Sequence, residues 1–483
     1  MTVLDANIEL PAGAVPPDAL KDGYGTTLPL DHVISRDMEG KPLSYIGDFV
    51  WNWTPYDPRG IKTAMYFDYW ATKANRKKVE ISEITSEREA RIREIQHLMV
   101  RLIYRDKGRE NGGSHLRGRL SGLLLLARFA ESCACSLREV LECQDRLDAF
   151  IATVSGHECV HIMGWLNILR VLDPVNELGF VLAKPRRLGE LMDRKARYLK
   201  SSKQHVPLPT RIYSALINAL SNELDDIESN KDRLLGAVRA AIAEHAKLRA
   251  QIENCDVVIG PAIIAGYDLQ DYLSRQGVSS SLNGLSAAVV NIFRVCKLQI
   301  HVFSGMRDEE AQHLPFDCME TEKRAHGRKH HLIVGVTTKL EGARRRRTKW
   351  VTTESDGFRA IRLAQQFAAE IYKRVGVNPS DTEKSKDKYP LFPSTHYLPW
   401  MGPQSKDHSK DGFTPVRANL TSESRALRER LCMIIDEVDL IELEEIDPFR
   451  AWRDEPEYAV GQPWPLSTHN CGAPWPCTPT PPG

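Results

Sequence analysis

Ser304-Gly305-Met306-Arg307-Asp308-Glu309-Glu310-Ala311-Gln312-His313-Leu314 follows an apolar helix, Leu282 to Val295, and a further run, Leu298 to Ser304. It combines a tight turn, an arginine and a returning acid. Gly305 lets the chain turn, and Arg307 then opens a short helix, Asp308 to Leu314, whose free N–H groups favour an anion. Glu310, three residues on, can return to support the guanidinium, while Ala311 and Leu314 anchor the helix to a core. An arginine so held suits a phosphate. Taken alone, the segment also reads as a surface arginine at a helix start.

Working outward, two strand-like runs follow, His331 to Thr338 and Thr348 to Thr353, joined by a turn containing Gly342. Lys323 to Trp350 carries ten Lys/Arg against one acid, Glu341, a local balance of +9. The cations are Lys323, Arg324, Arg328, Lys329, Lys339, Arg344, Arg345, Arg346, Arg347 and Lys349. That density faces a polyanion or is a solvated surface. Ile434 to Glu457 reverses it, with ten acids against Arg450 and Arg453, so the net charge of +1 conceals two opposed patches.

With 483 residues, 65 Lys+Arg and 64 Asp+Glu, the chain is too long for one ordinary domain and too balanced for a disordered one. At 42% hydrophobic and 27% charged it has ample material for cores. The apolar stretch Leu120 to Ala130 is broken by Ser121, Gly122 and Arg128, far short of the roughly 18 residues a membrane span needs. No membrane segment is expected. The start, rich in acids and prolines, lacks a secretory pattern, so a cytoplasmic protein is expected. Ten cysteines without C-x-x-C spacing point to reduced thiols.

Residues 1 to 78, rich in Pro, Gly, Asp and aromatics without sustained period, read as an irregular arm or small cap. Residues 79 to 260 read as a helical domain. Its segments begin with Ile81 to Leu102, where Ser86 and Glu89 offer a capping box. Further helices are expected at Leu116–Ser132, Ser136–Val154, His157–Val171, Arg186–Leu199, Pro209–Glu228 and Asp232–Ile252. Loops around Gly260–Gly266 and Gly277–Ser281 mark a domain boundary near 260 to 280. A helix Asp356–Val375, a Pro/Ser/Lys-rich loop from Asn378 to Gly412 and a helix Ser422–Ile435 complete the organised chain. The fold class is mainly α with a small β-hairpin or sheet.

His157-Glu158-Cys159-Val160-His161 satisfies the short zinc-peptidase pattern, two histidines one helical turn apart with a water-activating Glu. Position 167 is Asn where the extended pattern wants a third ligand, and Glu177 lies beyond Pro174. Two core or interface histidines on a bundle helix account for it more readily, so no metal site is assigned.

The segment 304–314 resembles box I of the tyrosine recombinase (phage integrase) family: Thr/Ser-Gly-hydrophobic-Arg-x-x-Glu-hydrophobic, with a Leu four residues past the Glu. His331 to Thr353 looks like that family's β-hairpin, with Lys339 in the place of its general acid. The resemblance covers about residues 280 to 469 and makes them a catalytic domain, preceded by a helical DNA-binding (core-binding-like) domain. It implies a site-specific recombinase or integrase of a mobile element, working in DNA integration and recombination on double-stranded DNA, as a homo-oligomer on the DNA. By that resemblance a Tyr attacks the phosphodiester without metal or nucleotide cofactor, two arginines neutralise the phosphoryl oxygens and a Lys protonates the leaving oxygen. Arg307, Lys339 and His469 are then the catalytic residues, with Glu310 in support.

The family pattern fails after His469. Gly472 stands where His-x-x-Arg requires Arg, and no Tyr follows. Residues 470 to 483 hold five prolines and no charge, which no helix tolerates. Read one nucleotide earlier, their codons permit Gln-Leu-Arg-Arg-Ser-Leu-Ala-Leu-Tyr-Ala directly after His469. An out-of-frame tail, a truncated domain and a catalytically inactive chain are therefore expected. The other expectations are a non-catalytic DNA-binding regulator and, last, a zinc peptidase.

Overall fold

The computed structural model describes residues 3–8, 10, 14–21, 27–37, 39–57, 63–71, 84–106, 113–201, 206–248, 255–323, 327, 329–337, 346–380, 389–401, 417–420 and 425–466. The chain is mainly helical with small antiparallel sheets. It divides into two compact units, Met1–Lys203 and Gln204–Gly483.

In the first unit three short antiparallel pairs come first: β1 (Val3–Leu4) with β2 (Leu20–Lys21), β3 (Val33–Arg36) with β4 (Pro42–Tyr45), and β5 (Val50–Asn52) with β6 (Ala64–Tyr66). Trp51, Trp53, Tyr56, Phe67 and Tyr69 are all but fully buried, and Trp51 meets Phe67 edge-to-face at 4.6 Å. These aromatics belong to the same core as Leu98, Leu123 and Trp165. The described part of residues 1 to 78 thus packs into the core of the first unit. Its aromatics carry no period because hairpins of two to four residues are too short to display one.

Among the described residues six α-helices follow: α1 (Ser86–Arg105), α2 (Gly113–Ser132), α3 (Leu137–Glu142), α4 (Gln144–Thr153), α5 (Glu158–Leu169) and α6 (Leu188–Ser201). The cap of α1 falls one residue before the expected one, at Thr85, whose hydroxyl accepts from the Arg88 N–H. A full capping box forms instead at α3, between Ser136 and Glu139. The single helix expected at 136–154 is broken at Cys143, which is extended (φ −98°, ψ 117°). Close approach of α5 to α2 needs glycine: a Cβ on Gly118 would lie 2.2 Å from the His161 ring, and one on Gly122 2.9 Å from Trp165 Nε1.

The second unit opens with α7 (Thr210–Leu248), a continuous 39-residue helix where two were expected. Ser229-Asn230-Lys231 suggested a break, but Asn230 is buried and its amide donates to the Asp226 carbonyl one turn back (2.7 Å). The glycines expected to form a loop lie within α8 (Cys255–Gly266), despite Pro261. After α9 (Gln270–Arg275) comes α10 (Leu282–Ser304), which fuses the two apolar runs. Leu216, Leu235, Ile264, Phe293 and Phe367 share one core, so the boundary expected near 260 to 280 lies inside this unit, and the units part at 203/204. Helix α10 is long and apolar enough to cross a membrane, and 83% of its most apolar window is buried in the fold.

Beyond α10 stand α11 (Asp308–Gln312) and a three-stranded antiparallel sheet, β7 (Met319–Lys323), β8 (Lys329–Thr337) and β9 (Arg346–Thr352), with β8 central. The polar pattern of β7 (METEK) concealed it as a strand. A π turn, Glu354–Phe358, leads into α12 (Arg359–Arg374); α13 (Arg425–Arg430) and α14 (Glu437–Ile446) complete the unit. The last is a helix inside what read only as an acidic run.

Candidate phosphate site

Helix α10 ends at Gly305, whose φ of +65° is a left-handed conformation that glycine adopts without strain; its N–H caps the His301 carbonyl at 3.1 Å. Met306, Ala311 and Leu314 are fully buried, which leaves Arg307 facing outward from an anchored turn. Gly335 on β8 makes room beneath it: a Cβ there would lie 3.1 Å from Leu314 Cδ2 and 3.2 Å from Trp350 Cζ3. The turn is therefore seated on the sheet.

The Glu310 carboxylate, 8% exposed, collects three donors. Its Oε2 accepts from the Arg307 backbone N–H at 2.8 Å, and its Oε1 accepts from Arg307 Nη1 at 2.9 Å and from the Thr337 hydroxyl. Arg307 Nη1 also lies 3.4 Å from Thr337 Oγ1. Residues thirty positions apart thus converge on one carboxylate. The guanidinium keeps 43% of its side chain in solvent, with one edge fixed and the other available.

The helix start supplies less than expected. Helix α11 has five residues, and its first turn carries Asp308, Glu309 and Glu310, which already take up its positive end. The cationic element is the Arg307 side chain itself. A second pair lies beneath the turn, where Lys297 Nζ meets Asp308 Oδ1 at 2.6 Å with 2% of the lysine side chain exposed. A lysine inside the apolar run Val295-Cys296-Lys297-Leu298 was the readable signal of that pair.

Arg307 and Glu310 are joined as expected. Lys339 and His469 lie outside the described residues, as do Arg324, Arg328, Arg344 and Arg345. Lys339 comes two residues after Thr337 in the chain. Arg346 opens β9 opposite Thr337, and Arg347 is exposed opposite Val336. Lys323 and Lys329 are both exposed and stand directly opposite each other, a like-charge pair that favours a counter-anion. Lys349 is different: its ammonium meets Glu320 at 2.8 Å and Glu322 at 2.6 Å, and these carboxylates hold its pKa above the ordinary lysine value. A count begun at Lys323 left out both acids. Lys349 contributes little free positive charge.

The acids of 434–457 are largely engaged within their own unit. Buried Asp439 receives Arg211 Nε at 3.1 Å, Glu442 accepts the Thr210 N–H at the start of α7, Arg453 joins Glu437 and Glu444, and Arg450 joins Glu455. The expected acidic patch is in good part an internal ion-pair network.

At the zinc-like motif, His157 and His161 have ring centroids 6.1 Å apart. The His161 ring lies on Gly118, and burial, then the neighbouring His157 and Arg119, lower its pKa. Glu177 pairs with Arg105. Among the described residues no three His, Cys, Asp or Glu side chains gather in a metal-binding group.

In comparison with known proteins, no family model, no curated protein and no solved structure matches this chain.

Proposed function

We propose that the second unit binds duplex DNA in the manner of a tyrosine recombinase, with Arg307 on a phosphate and the basic residues of the β7–β9 sheet along the backbone. The observation that supports this most is the convergence of Arg307, Glu310 and Thr337, which joins the recombinase-like turn to the strand leading to Lys339. In this reading Glu310 orients Arg307, Arg307 neutralises the phosphoryl oxygens, and Lys339 serves as proton donor to a leaving oxygen. The origin of such a protein is a mobile element, and its family task is DNA integration.

The same reading makes this chain a binder that does not cut. Gly472 stands where the resemblance wants the second phosphate-clamping arginine, so a cooperating set lacks a member. That observation favours a non-catalytic DNA-binding role for the chain as it stands.

Duplex binding measured across a salt series tests the proposal. Affinity should fall steeply with salt, and Arg307→Ala should weaken binding about tenfold or more, as expected for the loss of a charge-assisted contact. Replacing Arg344 to Arg347 with alanine should flatten the salt slope. Unaltered affinity and slope in both variants would reduce the basic block to solvated surface. A suicide DNA substrate should yield no covalent adduct; an adduct would show that a tyrosine before His469 serves as nucleophile.

A further inference from the structure

We propose that Lys297 is a positioning residue for the Arg307 anion site: by neutralising Asp308 from inside the core, it keeps the turn receptive to a phosphate. This rests on the reading of Arg307 as a phosphate ligand and adds a residue to that site.

The charges around Arg307 make the case. Asp308, Glu309 and Glu310 follow it directly, so a phosphate reaching the guanidinium meets three carboxylates in the next turn. Glu310 is satisfied by Arg307 and Thr337, and the Glu309 carboxylate lies 3.7 Å from His313 Nδ1. Asp308 is the acid adjacent to Arg307 in the chain, and its carboxylate is drawn inward to Lys297 at 2.6 Å. Lys297 is nearly fully buried on α10, eleven residues before Asp308 and on the other side of the Gly305 turn.

A buried lysine–carboxylate pair is a weak source of net stability, because desolvation offsets the attraction. Its position beside an exposed, oriented guanidinium gives it a different use. The pair ties the end of α10 to the start of α11 and directs Asp308 away from the face that Arg307 presents. Without the ammonium, the Asp308 carboxylate has no cation on its inner side and Arg307 is its neighbour in the chain, so it would compete with an incoming phosphate for the guanidinium.

The test uses the full chain and a random-sequence DNA duplex over a salt series. Lys297→Met should lower affinity about tenfold and reduce the salt slope by about one phosphate contact. Lys297→Met combined with Asp308→Asn should return affinity to within about threefold of the parent, because the isosteric amide removes the competing charge. Lys297→Arg, which keeps the cation, should stay close to the parent, and it keeps the test decisive if the methionine variant does not fold. In an Arg307→Ala background Lys297→Met should add no further loss, since its effect passes through Arg307. A merely structural lysine would lower the melting temperature of Lys297→Met without this non-additivity and without recovery by Asp308→Asn. Parent-like binding by Lys297→Met, or losses that add to those of Arg307→Ala, overturns the inference while leaving DNA binding intact. Parent-like binding by Arg307→Ala overturns the phosphate site and this inference with it.

Discussion

Lys349 stands on β9 facing two acids of β7. Lys349 is clamped by Glu320 and Glu322, so truncating it removes little usable charge. Lys349→Ala should therefore change duplex binding little, and Glu320→Gln with Glu322→Gln should strengthen it several-fold by releasing the ammonium. Filter-binding isotherms at one low salt concentration decide both. A second single-residue consequence lies in the first unit, where burial, aided by Arg101, pushes the His97 pKa down to about 4 while its Nε2 lies 2.9 Å from the Glu177 carbonyl. The folded protein keeps this imidazole neutral, whereas the unfolded chain takes up the proton near its ordinary value of 6.5. Its contribution is fully present above that value and is lost as pH falls towards 4, on the order of 3 kcal/mol in all. His97→Gln should flatten the decline in urea midpoint between about pH 7.5 and about pH 5. At this scale the pairing of Arg307 with Glu310 was legible in the sequence, because a turn of fixed spacing brings them together. The sequence could not name Thr337, Glu320 or Glu322, whose roles depend on strand register.

Among the elements, α10 shows how local signals and packing combine. Ser281 caps it by accepting from the Gly284 N–H at 3.0 Å, and Gly284 is required for steric reasons as well: a Cβ there would lie 1.7 Å from the Ser279 carbonyl oxygen. Ser281→Ala should cost about 1 kcal/mol, the usual worth of such a cap. Gly284→Ala should cost on the order of 3 kcal/mol, because the clash is with backbone and the helix start must shift. Chemical denaturation of the two variants should give that order, and equal losses would mean that the entry to α10 is pliable. Apolar periodicity made α2, α5 and α10 legible, yet two errors have one origin. Asn230 in α7 and Gly260 in α8 are residues that end helices in isolation, and here burial against neighbouring elements overrides their local preference, whereas the exposed Gly266 is where α8 ends. The strand β7 was missed for the opposite reason, since an edge strand with polar faces lacks the alternation that reveals one.

At the scale of the whole molecule, each unit has its own apolar core. A fragment of residues 204–483 should therefore fold alone and carry the proposed salt-dependent DNA binding with its sensitivity to Arg307→Ala, whereas a fragment of residues 1–203 should carry the acid sensitivity due to His97. Circular dichroism and duplex titration of the two fragments check this, and a 204–483 fragment that is unfolded or insensitive to Arg307→Ala would contradict it. The long helix α7 carries one more consequence, which concerns synthesis. At about 1.5 Å per residue its 39 residues span roughly 58 Å, and its N-terminal end is held by Glu442 and Asp439, 232 and 228 residues downstream. Translation at roughly 5–20 residues per second leaves that end waiting on the order of 10–50 s for its partners. In the earlier part of that interval, until α10 and α12 have been made, the apolar stripe of α7 lacks the faces that cover it, so the nascent second unit is a natural client for chaperones that shield helical hydrophobic surface.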